Sequence, residues 1–222
     1  NVTLTNKRYR LRRGRGGNIF YLQITLVIAF FTLNIGIAEA SMEVVFLKSP
    51  VKVKLPQSEL EQAKKGQVLP LKTKVAVGKG GLAVLREKNG STAKLHEGAR
   101  FEITKTQESA QQSKIDSLYT LMKGSAFFYF PKKQKENQKS VIRTKTAALG
   151  VRGTKFFVSY GRSSELGQDV WACVESGEVG VRTTKQRDTV EIKSGEGVQL
   201  RHGQKISTPR PLAWTKNLNW NF

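Results

Sequence analysis

Residues 146–156 read Thr146-Ala147-Ala148-Leu149-Gly150-Val151-Arg152-Gly153-Thr154-Lys155-Phe156. Two glycines bracket an arginine directly ahead of a β-prone aromatic run that continues to Tyr160. Glycine tolerates backbone angles closed to other residues and leaves room for a neighbouring strand, so the spacing predicts a sharp corner spanning Gly150 and Gly153. A strand over 154–160 follows it. Arg152 carries five N–H donors on a rigid fork and is placed to staple carbonyls exposed at the bend. Val151 and Thr154 complete a segment that speaks for backbone geometry rather than reaction chemistry.

Working outward, nearly every apolar stretch is short, β-branched or aromatic, and bounded by glycine, which predicts strands. Upstream these are 44–47, 51–55, 68–71, 74–77, 82–86, 92–95 and 101–104. Between two of them, Asn89-Gly90-Ser91 is placed to supply the positive φ angles of a tight hairpin turn. Residues 56–66 make the best helix candidate: Ser58 and Glu61 have capping-box spacing, Leu60 and Ala63 face one way, and Gly66 can end it. Residues 105–117 are polar without a period and predict a loop or insertion. A strand over 125–130 holds Phe127, Phe128, Tyr129 and Phe130 in succession, predicting burial on both faces.

Downstream, 141–144, 170–176, 179–183, 189–192 and 198–201 alternate apolar and polar residues, with Gly177, Gly195 and Gly203 between strands. Val170, Ala172 and Val174 fall on one face, Trp171 and Cys173 on the other, where a packed, unreactive thiol is expected. Residues 204–222, with Trp214 and Trp220, predict one more amphipathic strand or a strap across the body. The basic run at Lys132, Lys133, Lys135 and Lys139 reads either as a solvated turn or as an anion-binding loop.

The 222 residues hold 38 Lys+Arg, 17 Asp+Glu, two His and one Cys, which leaves no material for an internal disulfide or a Cys-rich zinc site. No metal and no cofactor are expected. Residues 1–17 carry six cations and no acid, residues 19–38 carry no charge, and Ala38-Glu39-Ala40 fits a signal-peptidase site. The expectation is an exported, periplasmic protein beginning at Ser41. An uncleaved apolar helical anchor over 19–38 is the alternative, since about 20 apolar residues span a bilayer. Beyond residue 40 there are 32 cations and 16 acids, a surplus drawn to polyanions.

The motif over 144–156, Thr-x-x-Ala-x-Leu-Gly-Val-Arg-Gly-Thr-x-Phe, resembles the signature of the FecR domain family. Flanking segments are similar to the same family. Gly66-x-x-Leu69, the glycine-ended strand 75–78 and Asn89-Gly90-Ser91 match upstream, the last with Asn where the family usually has Asp. Val174-x-x-Gly177-x-Val179-x-Val181 and Ile192-x-x-Gly195-Glu196 match downstream. Lys155 departs from an acid common after Gly-Thr. The resemblance implies an all-β domain over 66–203, short-stranded and solenoid-like or a twisted β-sandwich, after a strand and helix lead-in over 41–65. It implies protein contact or ligand sensing without catalytic residues. In regulators of the family a periplasmic portion receives a signal and a cytoplasmic segment restrains a sigma factor. About 18 residues precede the apolar run here, short of the roughly 50 of a domain, so a stand-alone exported module is expected.

Three functions compete. The first is a non-catalytic binding, sensing or scaffold module of the cell envelope, with an envelope protein as partner. The second is a basic binder of peptidoglycan or lipopolysaccharide acting through Lys132, Lys133, Lys135 and Lys139; nucleic acid is not an expected partner, and membrane contact is expected only through 19–38. An enzyme ranks third: Glu175 and Glu178 flank a hairpin tip instead of a cleft. Residues 77–81 (Val-Gly-Lys-Gly-Gly) mimic a phosphate loop but run into a strand.

Overall fold

The alternation of β-branched and polar residues is realised as strands throughout the computed structural model, which describes residues 41–104, 115–132, 139–161, 169–184, 189–201 and 204–222. They are β1 (Met42–Lys48), β2 (Val51–Lys54), β3 (Leu60–Gln62), β4 (Val68–Leu69), β5 (Lys74–Val77), β6 (Leu82–Arg86) and β7 (Thr92–Leu95). There follow β8 (Arg100–Thr104), β9 (Ile115–Tyr129), β10 (Lys139–Arg143), β11 (Ala147–Tyr160), β12 (Val170–Thr183), β13 (Thr189–Lys193) and β14 (Gly197–Leu200). One 14-stranded sheet joins them, its main path running β13-β12-β11-β10-β9-β7-β6-β1-β4. The fold is all-β. The expected apolar helix and signal at the start of the chain lie outside the described residues.

The strands are not uniformly short: β9, β11 and β12 have 15, 14 and 14 residues. Each changes course part-way at a glycine of positive φ, respectively Gly124, Gly153 and Gly177. The first half of β9 pairs with β8 and runs parallel to β10, while its second half pairs with β7 and β11. The sheet therefore folds over at Gly124, where a Cβ would lie 2.6 Å from Ala99 Cα and 2.8 Å from the Gly98 carbonyl oxygen. Between the two halves lies one core, with Val53, Val75 and Phe101 from one side and Leu85, Phe128 and Phe156 from the other. Phe101 and Phe128 meet across it with ring centroids 6.1 Å apart. Burying each such side chain stabilises the fold by about 1.5–3 kcal/mol.

Several local expectations are corrected. The corner is not at Gly150, which lies in extended pairing opposite Gly180, whose carbonyl oxygen would stand 3.9 Å from a Cβ at 150. The bend falls between Arg152 and Lys155, where the register against β12 shifts, so the motif is a bulged strand instead of a break. Arg152 is exposed and staples no carbonyl among the described residues. Residues 56–66 form no helix. Leu60–Gln62 pairs instead with β2, Ala63 N–H donates to the Val51 carbonyl, and the Ser58 hydroxyl donates back to the Leu55 carbonyl. Pairing with the Lys52–Lys54 backbone outweighs the local capping signal, a tertiary override of propensity.

Strand β9 begins at Ile115, so 115–117 belong to the sheet and not to a loop; residues 105–114 lie outside the described residues. The Asn89-Gly90 turn has positive φ only at Gly90. Gly90 N–H donates to the Glu87 carbonyl and Glu87 N–H to the Ser91 carbonyl, closing a three-residue loop with a glycine bulge in place of a two-residue turn. Lastly, the tail is no strand. It makes one bridge, Gly197 with Arg210, and a 3-10 turn over Ala213–Asn217.

Candidate functional site

Strand register organises the second, outward face of the main sheet into rows. Phe46, Val84, Lys94, Phe127, Phe157 and Cys173 stand side by side on β1, β6, β7, β9, β11 and β12. Two residues along, or three on β1 and β12 where the register shifts, lies a parallel row: Glu43, Arg86, Thr92, Tyr129, Lys155 and Ser176. The intervening row of Val44, Leu85, Ala93, Phe128, Phe156 and Val174 points into the core. That alternation explains the four successive aromatics of β9: Phe128 and Phe130 join the core, Phe127 is buried on the second face, and Tyr129 is exposed.

Phe127 is covered by the C-terminal tail. Trp220 meets it edge-on at 5.1 Å, Trp214 meets Phe157 at 6.0 Å and Trp171 at 5.8 Å, and Phe222 lies 6.2 Å from Tyr129. Phe127, Phe157 and Cys173 form a second apolar cluster, with Leu218 and Trp220 packed on it. Burial pushes the Cys173 thiol up to about 12, against a smaller lowering by a hydrogen bond from the Phe157 backbone. The thiol is accordingly a packing group.

Lys94 sits at the centre of this face and is buried. Its ammonium donates to the Asn219 carbonyl at 2.7 Å and to the Asn221 carbonyl, and lies 4.7 Å over the Phe127 ring. Desolvation lowers its pKa, with the nearby Lys155 charge adding to the effect. Two backbone carbonyls and an aromatic face compensate the buried cation and fix the tail in place. Beside it Arg86, Thr92, Tyr129, Lys155 and Phe222 line an open cleft of about 450 Å³. Lys155 pairs there with Glu175 at 2.9 Å, so the lysine that departs from the family pattern has an acid of its own across the sheet.

Asn89 turns out to serve a buried carboxylate. Its Oδ1 accepts from Ser91 N–H at 2.8 Å, as an aspartate would, but its Nδ2 donates to Glu87 Oε2 at 2.7 Å. Glu87 also accepts from the Ser117 and Tyr119 hydroxyls. Burial first, and then the Glu87 charge, hold the Tyr119 phenol well above its ordinary pKa. The 77–81 loop is likewise satisfied internally: Gly80 N–H donates to Glu97 Oε2 at 2.9 Å. Of the four candidate anion-binding lysines, Lys132 packs its stem against Gly153; the side chains of Lys133, Lys135 and Lys139 lie outside the described residues. Among the described residues no group of three His, Cys, Asp or Glu could hold a metal, and no helix is long and apolar enough to cross a membrane.

Phe46, Val68, Tyr129, Trp214 and Phe222 are all exposed on this outward face or on the tail that crosses it. Sequence reasoning placed Phe46 and Val68 in strands without assigning them a face. The bulge after Val44, which sends Phe46 outward, has no sequence signal.

Residues 73–180 match the family model described as "FecR protein". These residues form a FecR domain. The match opens just before β5 and closes within β12, and contains both the bulged motif and the Glu87–Asn89 loop. A search of curated proteins finds no match. Two crystal structures of "a putative anti-sigma factor from Parabacteroides distasonis ATCC 8503", at 1.65 Å and 2.50 Å, are similar in fold, each with 19% identity and a TM-score of 0.52. The alignment covers 65% of this chain and 62% of theirs.

Proposed function

We propose that this FecR-domain chain is an exported, non-catalytic sensing module of the periplasm that relays a signal by protein contact through the outward face of its main sheet. The observation that carries this reading is that the exposed aromatics Tyr129 and Phe222 meet there beside the cations Arg86 and Lys155, with Trp214 exposed on the tail and Phe46 and Val68 exposed further along the same face. Exposed aromatics set beside arginine are what protein interfaces concentrate. The FecR match and the fold of the anti-sigma factor from Parabacteroides support a signalling role. The signature residues support contact over chemistry, because Gly150, Gly153 and Gly177 lie in paired strands and Asn89, Gly90 and Ser91 close a loop.

The test is site-specific photocrosslinking in intact cells. A photoreactive residue at Phe46 or Tyr129 is expected to yield a discrete adduct of one partner protein, and the same residue at Lys52, on the other side of the core, none. Adducts of equal strength at all three positions, or release of no protein by osmotic shock and no cleavage by externally added protease, would refute the reading.

A further inference from the structure

We propose that the opposite outward face, formed by β2, β5, β8 and the first half of β9, docks on an anionic lipid bilayer. Register sets Lys52, Ala76, Arg100 and Lys123 in one row across these strands. The next row is Lys54, Lys74, Glu102 and Thr120, continued by Leu60 on β3. Lys72 stands at the entrance of β5. All six cations are exposed, and none has an ion-pair or hydrogen-bond partner for its side chain among the described residues, although Glu102 lies between them. Six like charges held on adjacent strands about 4.8 Å apart repel one another unless an anion meets them.

Three features select a membrane surface as that anion. Side chains on one sheet face stand roughly perpendicular to it, so the ammonium heads reach a common level and suit a planar partner. Five of the six are lysines, point charges that attract phosphate headgroups without demanding a bidentate geometry. Leu60 and Met122, 54% and 37% exposed, rise from the same face at its two margins, and a bilayer interface accepts apolar groups beside cations where a linear polyanion offers them nothing. At one end the face deepens into an open cleft of about 420 Å³ where Lys54, Lys72 and Lys74 outnumber the single carboxylate, Glu102, with Gln57 and Thr104 completing the polar lining. Gln57 and Lys72 hold left-handed backbone there, φ 59° and 67°, strain of a kind that gathers at ligand clamps. With three lysines against one carboxylate, the cleft carries the net positive charge that attracts a headgroup phosphate.

This face lies across the core from the proposed protein-contact face, so the two readings fail independently. The test uses the full chain reconstituted into vesicles of phosphatidylcholine alone or mixed with phosphatidylglycerol, carrying an environment-sensitive fluorophore on Leu60→Cys or Met122→Cys. Val68→Cys on the opposite face is the control. A blue shift at 60 and 122 is expected only with phosphatidylglycerol, reversed by high salt and lost in the Lys54→Gln/Lys72→Gln/Lys74→Gln variant. No lipid-dependent shift, an equal shift at 68, or an undiminished shift in the triple variant overturns the proposal. So does a shift produced by soluble long-chain polyphosphate and not by vesicles, which would make the face a linear-polyanion site.

Discussion

Gly177 stands against Gly153 across β11 and β12 so closely that a Cβ at 177 would lie 2.5 Å from the Gly153 carbonyl oxygen. Both glycines have positive φ, 85° and 62°, and the register shift between Arg152 and Lys155 opposite Glu178 and Ser176 sits at this contact. The two long strands bend together there because neither carries a side chain at the point of approach. That bend hands β11 from its pairing with β10 to its pairing with β9.

The contact predicts a graded mutational series. Gly177→Ala meets both a left-handed backbone and a rigid carbonyl and is expected to cost about 2–4 kcal/mol, and Gly124→Ala, enclosed by the Ala99 backbone, a similar amount. Gly150→Ala has room and ordinary φ and should change stability by less than about 1 kcal/mol. Urea unfolding midpoints decide it: equal losses at 150 and 177 would show that the motif's first glycine is the constrained one after all.

Asn89→Asp restores the residue the family usually carries and is nonetheless expected to destabilise this chain. It replaces the Nδ2 donor to Glu87 with a second carboxylate beside a buried one, costing about 1–3 kcal/mol at neutral pH. Two carboxylates in contact repel only while both are charged, so the loss relative to the natural chain should shrink in acid. A midpoint difference that stays constant from pH 7 to pH 5 would exclude the repulsion.

Cys173 reports whether the tail is seated. With its thiol at about 12, it is expected to react with a disulfide reagent at pH 8 far more slowly than an exposed cysteine, and Leu218→Ala/Trp220→Ala should raise the rate at least tenfold by opening the cluster. The folded thiol holds its proton to higher pH than the unfolded one, whose ordinary value is 9.0, so its contribution to stability is intact below about pH 9 and lost between there and 12. Fast labelling of the natural chain would contradict the packing.

Lys94→Met keeps an apolar stem and removes the donors to the Asn219 and Asn221 carbonyls. The tail is expected to detach, with Trp220 fluorescence shifting to the red and becoming more accessible to acrylamide, while the unfolding midpoint of the body moves little. Each charged hydrogen bond removed accounts for about 1.5–3 kcal/mol of tail binding, offset in part by the desolvation Lys94 no longer bears. Unchanged quenching of Trp220 would show that the aromatic contacts hold the tail unaided.

The strand series was legible because alternation is a local signal: Val75, Phe101, Val170 and Val174 each declare their face within a few residues. The 144–156 motif was legible as a family mark, yet its geometry was misjudged, since nothing local distinguishes Gly150 in regular pairing from Gly153 at a bulge. Gly124 passed unnoticed for the same reason; only the backbone of Ala99, 25 positions earlier in the chain, makes it indispensable. Residues 56–66 misled because capping-box spacing is a weak preference and an unpaired edge of β2 is a strong one.

Composition and pattern were enough to specify an all-β chain with a packed cysteine and a positive charge surplus, because side-chain period and residue class act over short stretches, while the family came from the resemblance of the 144–156 motif and its flanks. Which cations gather on one face and which aromatics stay uncovered depended on register between strands such as β1 and β6, where Glu43 pairs with Arg86, and Lys94 finds its carbonyls in a tail 125 positions away. Register is set by the fold's shared core and its bulges. A one-residue slip would carry Phe46, Lys94 and Tyr129 to the other side of the sheet.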